Sequence, residues 1–229
     1  MKRWLLIGCM LTVSVTRLSA QAGAALLSKG ADGNPVFEKS YTDVQGSPYL
    51  QEDWAIGSVV LKSDKSYTGV ALKYDQVKDE LLFRNEKNEM NTFVQPVKSF
   101  NINSRKDNSQ LVFRNGFAPA KGATESSYYQ VLADGKVQLL FRNVKKVRKD
   151  KAYNSATTVL TIEEYPNYFI AKNGVPVSIK KNEKAVLEAI GGDSAALTAY
   201  IRSNKLNVKN DEDLVKLIVY CNSLTPEGK

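Results

Sequence analysis

Histidine is absent from all 229 residues, and cysteine occurs twice, at Cys9 and Cys221. Without imidazole there is no Ser-His-Asp or Cys-His nucleophile system and no histidine-ligated metal site. Glycine loops that cradle phosphate are missing too, since Gly191-Gly192 is not followed by Lys-Ser/Thr. Calcium needs several oxygen ligands on one short loop, and neither Asp32-Gly33-Asn34 nor Asp211-Glu212-Asp213 has the alternating ligand spacing. No cofactor and no metal is therefore expected. Long hydrophobic runs are also lacking: the apolar stretch Trp4–Val15 is 12 residues, short of the roughly 20 that span a bilayer.

That stretch has another reading. Lys2 and Arg3 precede it, and the small residues Ser19-Ala20-Gln21-Ala22 follow it. Positive start, apolar run and small residues are the pattern of a secretory leader over residues 1–20, cleaved after Ala20 or Ala22. The expected address is the periplasm or the cell surface. Leu6-Ile7-Gly8-Cys9 resembles a lipidation box, but too little apolar sequence precedes Cys9 for a working signal. Loss of the leader takes Lys2, Arg3 and Arg17 with it, so the formal charge falls from +8 to +5. Cys9 leaves as well, and a lone Cys221 forbids an internal disulfide even in an oxidising compartment. Cohesion then rests on apolar burial, for which the chain is long enough.

From Trp54 to Ile179 the apolar residues recur at every second position. Val70, Leu72 and Tyr74 form one such series, and Val137, Leu139 and Phe141 another. Period two marks half-buried strands, and the segment carries about ten candidates with no helical pattern between them. Asp134-Gly135 and Asn173-Gly174 each lie between two strand patterns. Both dipeptides take positive φ readily, as tight type I′ hairpins require. The phrase Glu80–Asn85 (ELLFRN) returns as Gln110–Asn115 (QLVFRN) and Gln138–Asn143 (QLLFRN). Its flanks do not match, which favours convergent strand chemistry over duplication.

After Ile179 the period lengthens. Val186, Leu187 and Ile190 share a helical face, ending at Gly191-Gly192. Asp193 reads as the N-cap of a helix over Ser194–Asn204, and Asn210 as the cap of Asp211–Ser223, with acidic residues at the positive end of the dipole. Cys221 sits with Leu214, Leu217 and Ile218 on the apolar stripe of the last helix, where a thiol behaves as a small hydrophobe. Three short helices cannot bury a core by themselves and must pack on one another or on the sheet. The predicted fold class is α+β: mainly antiparallel β, barrel-like or a sandwich, followed by three short C-terminal α-helices. The expected organisation is a leader (1–20), an N-terminal extension (21–45), a β-rich domain (46–179), a helical segment (180–224) and a tail (225–229). An outer-membrane barrel is disfavoured, because charges fall within the strands and the chain ends in helices.

Several stretches resemble a family of uncharacterised secreted proteins of Bacteroidota. They are Gly46–Leu50, Asp53–Val59, Tyr67–Asp75, Phe113–Phe117, Tyr128–Leu140 and the ending from Lys205 to Leu224. The resemblance implies an exported envelope protein with a β-rich body. It brings no activity, cofactor or site residues. Cys221 departs from it, standing where an aromatic is expected.

The remaining chemistry rests on carboxylates and aromatics. A glycoside hydrolase needs two Asp/Glu groups across a sugar bond, and Asp75, Asp79, Glu80, Glu163 and Glu164 are the candidates; as a class, acidic clusters are commonly solvated turn residues. The densest basic run, Lys145–Lys151, reads as a solvated loop that would attract phosphate. It has no interleaved aromatics for base stacking, so no nucleic acid is expected. Asp193-Ser194-Ala195 resembles a short O-glycosylation signal, but its helix-capping role explains it without a sugar. Trp54, Tyr67, Tyr74, Tyr128 and Tyr129 are candidate ligand-binding residues, since aromatic faces stack on sugars and lipids, with core packing as the alternative. The function expected is that of an exported non-catalytic envelope protein, a binding or structural module whose partner is an envelope protein or a glycan. A carboxylate-dependent glycoside hydrolase and a lipocalin-like carrier of an apolar ligand are the alternatives.

Overall fold

The computed structural model describes residues 33–36, 41–151 and 158–224. The leader read over residues 1–20 and the tail read over 225–229 lie outside the described residues. Among the described residues the strands are β1 (Gly33–Pro35), β2 (Val44–Gln45), β3 (Ala55–Leu61), β4 (Ser66–Asp75), β5 (Glu80–Arg84), β6 (Met90–Phe93), β7 (Val97–Asn103), β8 (Gln110–Arg114), β9 (Tyr129–Ala133), β10 (Val137–Lys151), β11 (Thr158–Lys172) and β12 (Val175–Ile179). Three helices follow: α1 (Glu183–Ile190), α2 (Ser194–Ser203) and α3 (Asp211–Leu224). This is an α+β fold, mostly antiparallel sheet with C-terminal helices, and the sheet is not closed.

All strands belong to one sheet, in the order β1-β6-β5-β4-β3-β7-β8-β9-β10-β11-β12, with β2 added in parallel to β11. The first half curls tightly. β4 and β8 stand three strand spacings apart, about 14 Å if the sheet were flat. Yet the rings of Tyr74 on β4 and Phe113 on β8 have centroids 5.2 Å apart. Inside the curl Phe100 stacks on Phe113 at 4.7 Å, and Tyr128 meets Phe100 edge-on at 5.1 Å. Val59, Leu72, Phe83 and Ile102 complete this core. One tight approach permits the curl. A Cβ on Gly57 would lie 2.0 Å from the Asn101 carbonyl oxygen, at the point where the β3–β4 register shifts. Only glycine lets the two backbones come so close.

Where β10 and β11 cross the centre of the second half, at Leu139-Leu140 and Phe169–Ala171, the sheet is buried on both faces. Leu139 and Ile170 turn toward the helices, against Val186, Leu197, Leu214, Leu217 and Ile218. Their chain neighbours Leu140 and Phe169 turn the other way, with Tyr129 beneath Phe117 and Ala123. The half-buried pattern predicted for Val137–Phe141 is thus corrected. The consecutive apolar residues Leu139-Leu140 serve two layers, as continuous runs do in strands covered on both sides. The three ELLFRN-like phrases also differ in role. Phe83 and Phe113 lie in the first core, whereas Phe141 packs on Tyr168 outside it. The three phrases thus share strand chemistry but not one environment.

The turns divide. Asn173 (φ 51°) and Gly174 (φ 76°) are both left-handed and join paired Lys172 and Val175, the predicted two-residue hairpin. Asp134-Gly135 does not form one. Residues 134–136 connect β9 to β10, and only Gly135 among them has positive φ. Asp134 instead accepts from Gln138 at 2.8 Å and pairs with Arg114 at 2.7 Å. Asn222 of α3 reaches in to accept from the Val137 N–H at 2.9 Å and to donate to its carbonyl at 2.8 Å. Tertiary partners have replaced the local turn.

The helix signals hold. Asp193 accepts from the backbone N–H of Ala195 and Ala196, and Asn210 from that of Asp213. Cys221 is buried on the apolar stripe of α3. The basic run does not form a loop. It lies in β10, paired residue by residue with β11. Lys145 is buried and gives hydrogen bonds to the carbonyls of Ser47 (3.0 Å) and Tyr49 (2.8 Å), besides its ion pair with Glu164 (3.0 Å). A buried ammonium with three acceptors is satisfied, and it ties the segment before β3 to the ribbon. No helix among the described residues is long and apolar enough to cross a membrane.

Candidate polar cleft at the mouth of the curled sheet

A cavity lined by polar groups opens where the curl meets the segment joining β8 to β9. Its volume is about 470 Å³, within the range of roughly 300–1,000 Å³ typical of small-molecule sites. The β4–β5 turn and the start of β5 bring Lys78, Asp79 and Glu80, β6 brings Thr92, and the β6–β7 connection brings Gln95 and Pro96. The β8–β9 segment adds Asn115, Thr124, Ser126, Ser127 and Tyr128, while Arg142 comes from β10 and Lys62 from the end of β3. The walls are hydroxyls, amides and charges over an aromatic base.

Asp79 organises the inner end. It stands at the left-handed position of the β4–β5 turn (φ 57°), a conformation that Asp tolerates. Its Oδ1 accepts the Tyr74 hydroxyl at 2.5 Å and the Tyr128 backbone N–H at 3.3 Å. Its Oδ2 accepts from Arg142 at 2.8 Å, and Arg142 also donates to the Gly122 carbonyl at 3.0 Å. Three donors thus hold one carboxylate. Burial, together with the Asp79 charge, raises the Tyr74 hydroxyl well above the usual tyrosine range, and the Tyr128 hydroxyl shifts the same way for the same reasons. Both stay protonated donors, Tyr74 to Asp79 and Tyr128 to the Val97 carbonyl at 3.2 Å. Glu80 is pushed up by burial, only partly offset by the Lys78 charge. The result is a fixed hydrogen-bonding floor with one partly desolvated carboxyl at its edge.

The predicted residues are distributed as follows. Tyr67, Tyr74 and Tyr128 lie in the first core, where Tyr74 and Tyr128 meet at 5.9 Å, and Tyr129 is wholly buried in the core beneath Phe117. Tyr128 lines the cleft. Trp54 is half-buried elsewhere, with Arg84 4.7 Å from its ring centroid and Arg105 donating to its carbonyl at 2.8 Å. The five do not make one platform. Among the carboxylates, Asp79 and Glu80 reach the cleft. Asp75 is buried in its own turn, accepting from the N–H groups of Val77 and Lys78 and from the Tyr41 hydroxyl. Glu163 pairs with Arg148 at 3.2 Å and Glu164 with Lys145 at 3.0 Å, across the β10–β11 ribbon. Neighbouring Asn143 and Lys145 hold the Glu164 carboxyl below its usual range. These two are ribbon ion pairs, not the turn residues expected.

Sequence reasoning missed Arg142, Gln95, Thr92 and Ser126. One signal was present: residues 115–128 join β8 to β9 without a strand or helix between, and connections of that length are uncommon and usually functional. Among the described residues no group of three or more metal-ligating side chains assembles. Comparison with protein-family models, with curated proteins and with solved structures finds no match to this chain.

Proposed function

We propose that the protein is an exported, non-catalytic envelope module that binds a glycan-like ligand in the polar cleft. The leader pattern in residues 1–20 and the resemblance to secreted Bacteroidota proteins support export. The observation that carries the binding reading is the state of Asp79. Its oxygens are engaged by Tyr74, Tyr128 and Arg142, which suits a wall held still for recognition better than a group that must gain and lose protons. Around it the cleft offers hydroxyl and amide groups from Thr92, Gln95, Asn115 and Ser126, the chemistry that matches sugar hydroxyls. A carrier role for the curl is not favoured, because Tyr74, Phe100, Phe113 and Tyr128 occupy its centre.

Calorimetric titration of the mature protein with soluble muropeptides and lipopolysaccharide core oligosaccharides tests the reading. At least one of these is expected to bind, and Gln95→Ala together with Ser126→Ala is expected to weaken it about thirtyfold, in line with two lost hydrogen bonds at roughly 1 kcal/mol each. Absence of binding across the panel would overturn the glycan assignment. Turnover that Glu80→Gln abolishes would put the hydrolase in its place.

A further inference from the structure

A second cavity, of about 380 Å³, lies between the helices and the sheet and shares no residue with the polar cleft. Its walls are Val137, Ile190, Leu197, Cys221 and Leu224, and the first four of these are buried. Its mouth is formed by Lys136, Lys172 and the Gly191-Gly192-Asp193 bend. Apolar walls beneath a basic rim describe a site for an amphiphile rather than for a sugar. The rim is fixed. Lys172 donates from Nζ to the Ile190 carbonyl at 3.0 Å, which holds its ammonium at the opening. Asp193 accepts from the backbone N–H groups of Ala195 and Ala196 at the start of α2. Among the described lining residues two lysines stand against this one carboxylate, so their balance is cationic.

We propose that this cavity binds a medium-chain fatty-acid anion, tail among Val137, Ile190, Leu197 and Cys221, carboxylate at Lys136 and Lys172. The volume is more than twice the roughly 150 Å³ that holds one benzene molecule in an apolar cavity, which leaves room for a tail of about ten carbons. The site is independent of the glycan reading, since the two sets of residues do not overlap.

Decanoate, decanol and acetate are the probes, and the thiol of Cys221 is the reporter. It is the sole cysteine of residues 21–229, and it lines the cavity. Decanoate is expected to slow alkylation of Cys221 by iodoacetamide at saturation, whereas acetate leaves the rate unchanged. Lys172→Met combined with Lys136→Met is expected to weaken decanoate about fivefold, the upper range for exposed ion pairs, without altering decanol binding. Because the double variant also removes the bond to Ile190, its melting temperature is followed alongside, and unchanged decanol binding shows that the cavity survives. An alkylation rate indifferent to decanoate, or equal affinity for decanoate in wild type and double variant, would overturn the proposal.

Discussion

At the residue scale the molecule turns on Asp79. Its carboxylate joins the β4–β5 turn to Tyr74 in the curl, to the Tyr128 backbone and to Arg142 on β10. The Asp79–Arg142 pair is largely screened from water, with side-chain exposures of 20% and 12%. Removing one partner of such a pair strands the other charge. Asp79→Ala is therefore expected to cost about 3 kcal/mol in urea denaturation, and Tyr74→Phe about 1 kcal/mol. Equal, small losses for both would show that the network is ornamental. Glu80 gives the opposite sign. Burial favours its neutral form, so the folded protein holds that proton more tightly than the unfolded chain. This contribution is present below the ordinary glutamate range and is lost as pH rises through the raised value. Glu80→Gln should accordingly be more stable than wild type near about pH 7 and gain nothing near about pH 3, as urea midpoints at the two values will show. A gain that is the same at both would contradict the assignment.

At the scale of elements, period and cap residues made much of the architecture legible in advance. Val70, Leu72 and Tyr74 announced β4, Asn173-Gly174 announced its hairpin, and Asp193 and Asn210 announced α2 and α3. What stayed hidden depended on partners distant in the chain. Lys145–Lys151 has the composition of a loop, and only its pairing with β11 makes it a strand. Asp134-Gly135 has the residues of a type I′ turn, but Asn222, far along the chain, reshapes it. The β3–β7 contact is another such case. Nothing around Gly57 in the sequence reveals that Asn101 presses on it. Gly57→Ala should force β3 and β7 apart and cost more than about 3 kcal/mol, well beyond the roughly 1 kcal/mol of a mere propensity change in a strand. A melting temperature close to wild type would mean the backbones can separate freely.

At the scale of the whole molecule, one continuous sheet serves two cores of different kinds. The curled half wraps aromatic rings and leaves a polar mouth; in the other half the centre of β10 and β11 lies between the helices and the β8–β9 segment. The cleft arises where these halves meet, from β5, the β6–β7 connection, residues 115–128 and Arg142. That explains why the candidate site was only partly legible. Asp79 and Tyr128 were recognisable as chemistry-bearing residues, but Gln95, Thr92, Ser126 and Arg142 gain meaning only once sheet order brings them together. Local pattern reports periods; it does not report which turns share a rim.

The most direct test of the binding reading is amide chemical-shift mapping of the protein with the oligosaccharide that binds in calorimetry. Shifts centred on Thr92, Gln95, Asn115 and Ser126, with the oligosaccharide recovered intact, are the result expected. Shifts gathered around Trp54 or the β10–β11 ribbon, or cleavage of the oligosaccharide during the measurement, would contradict it.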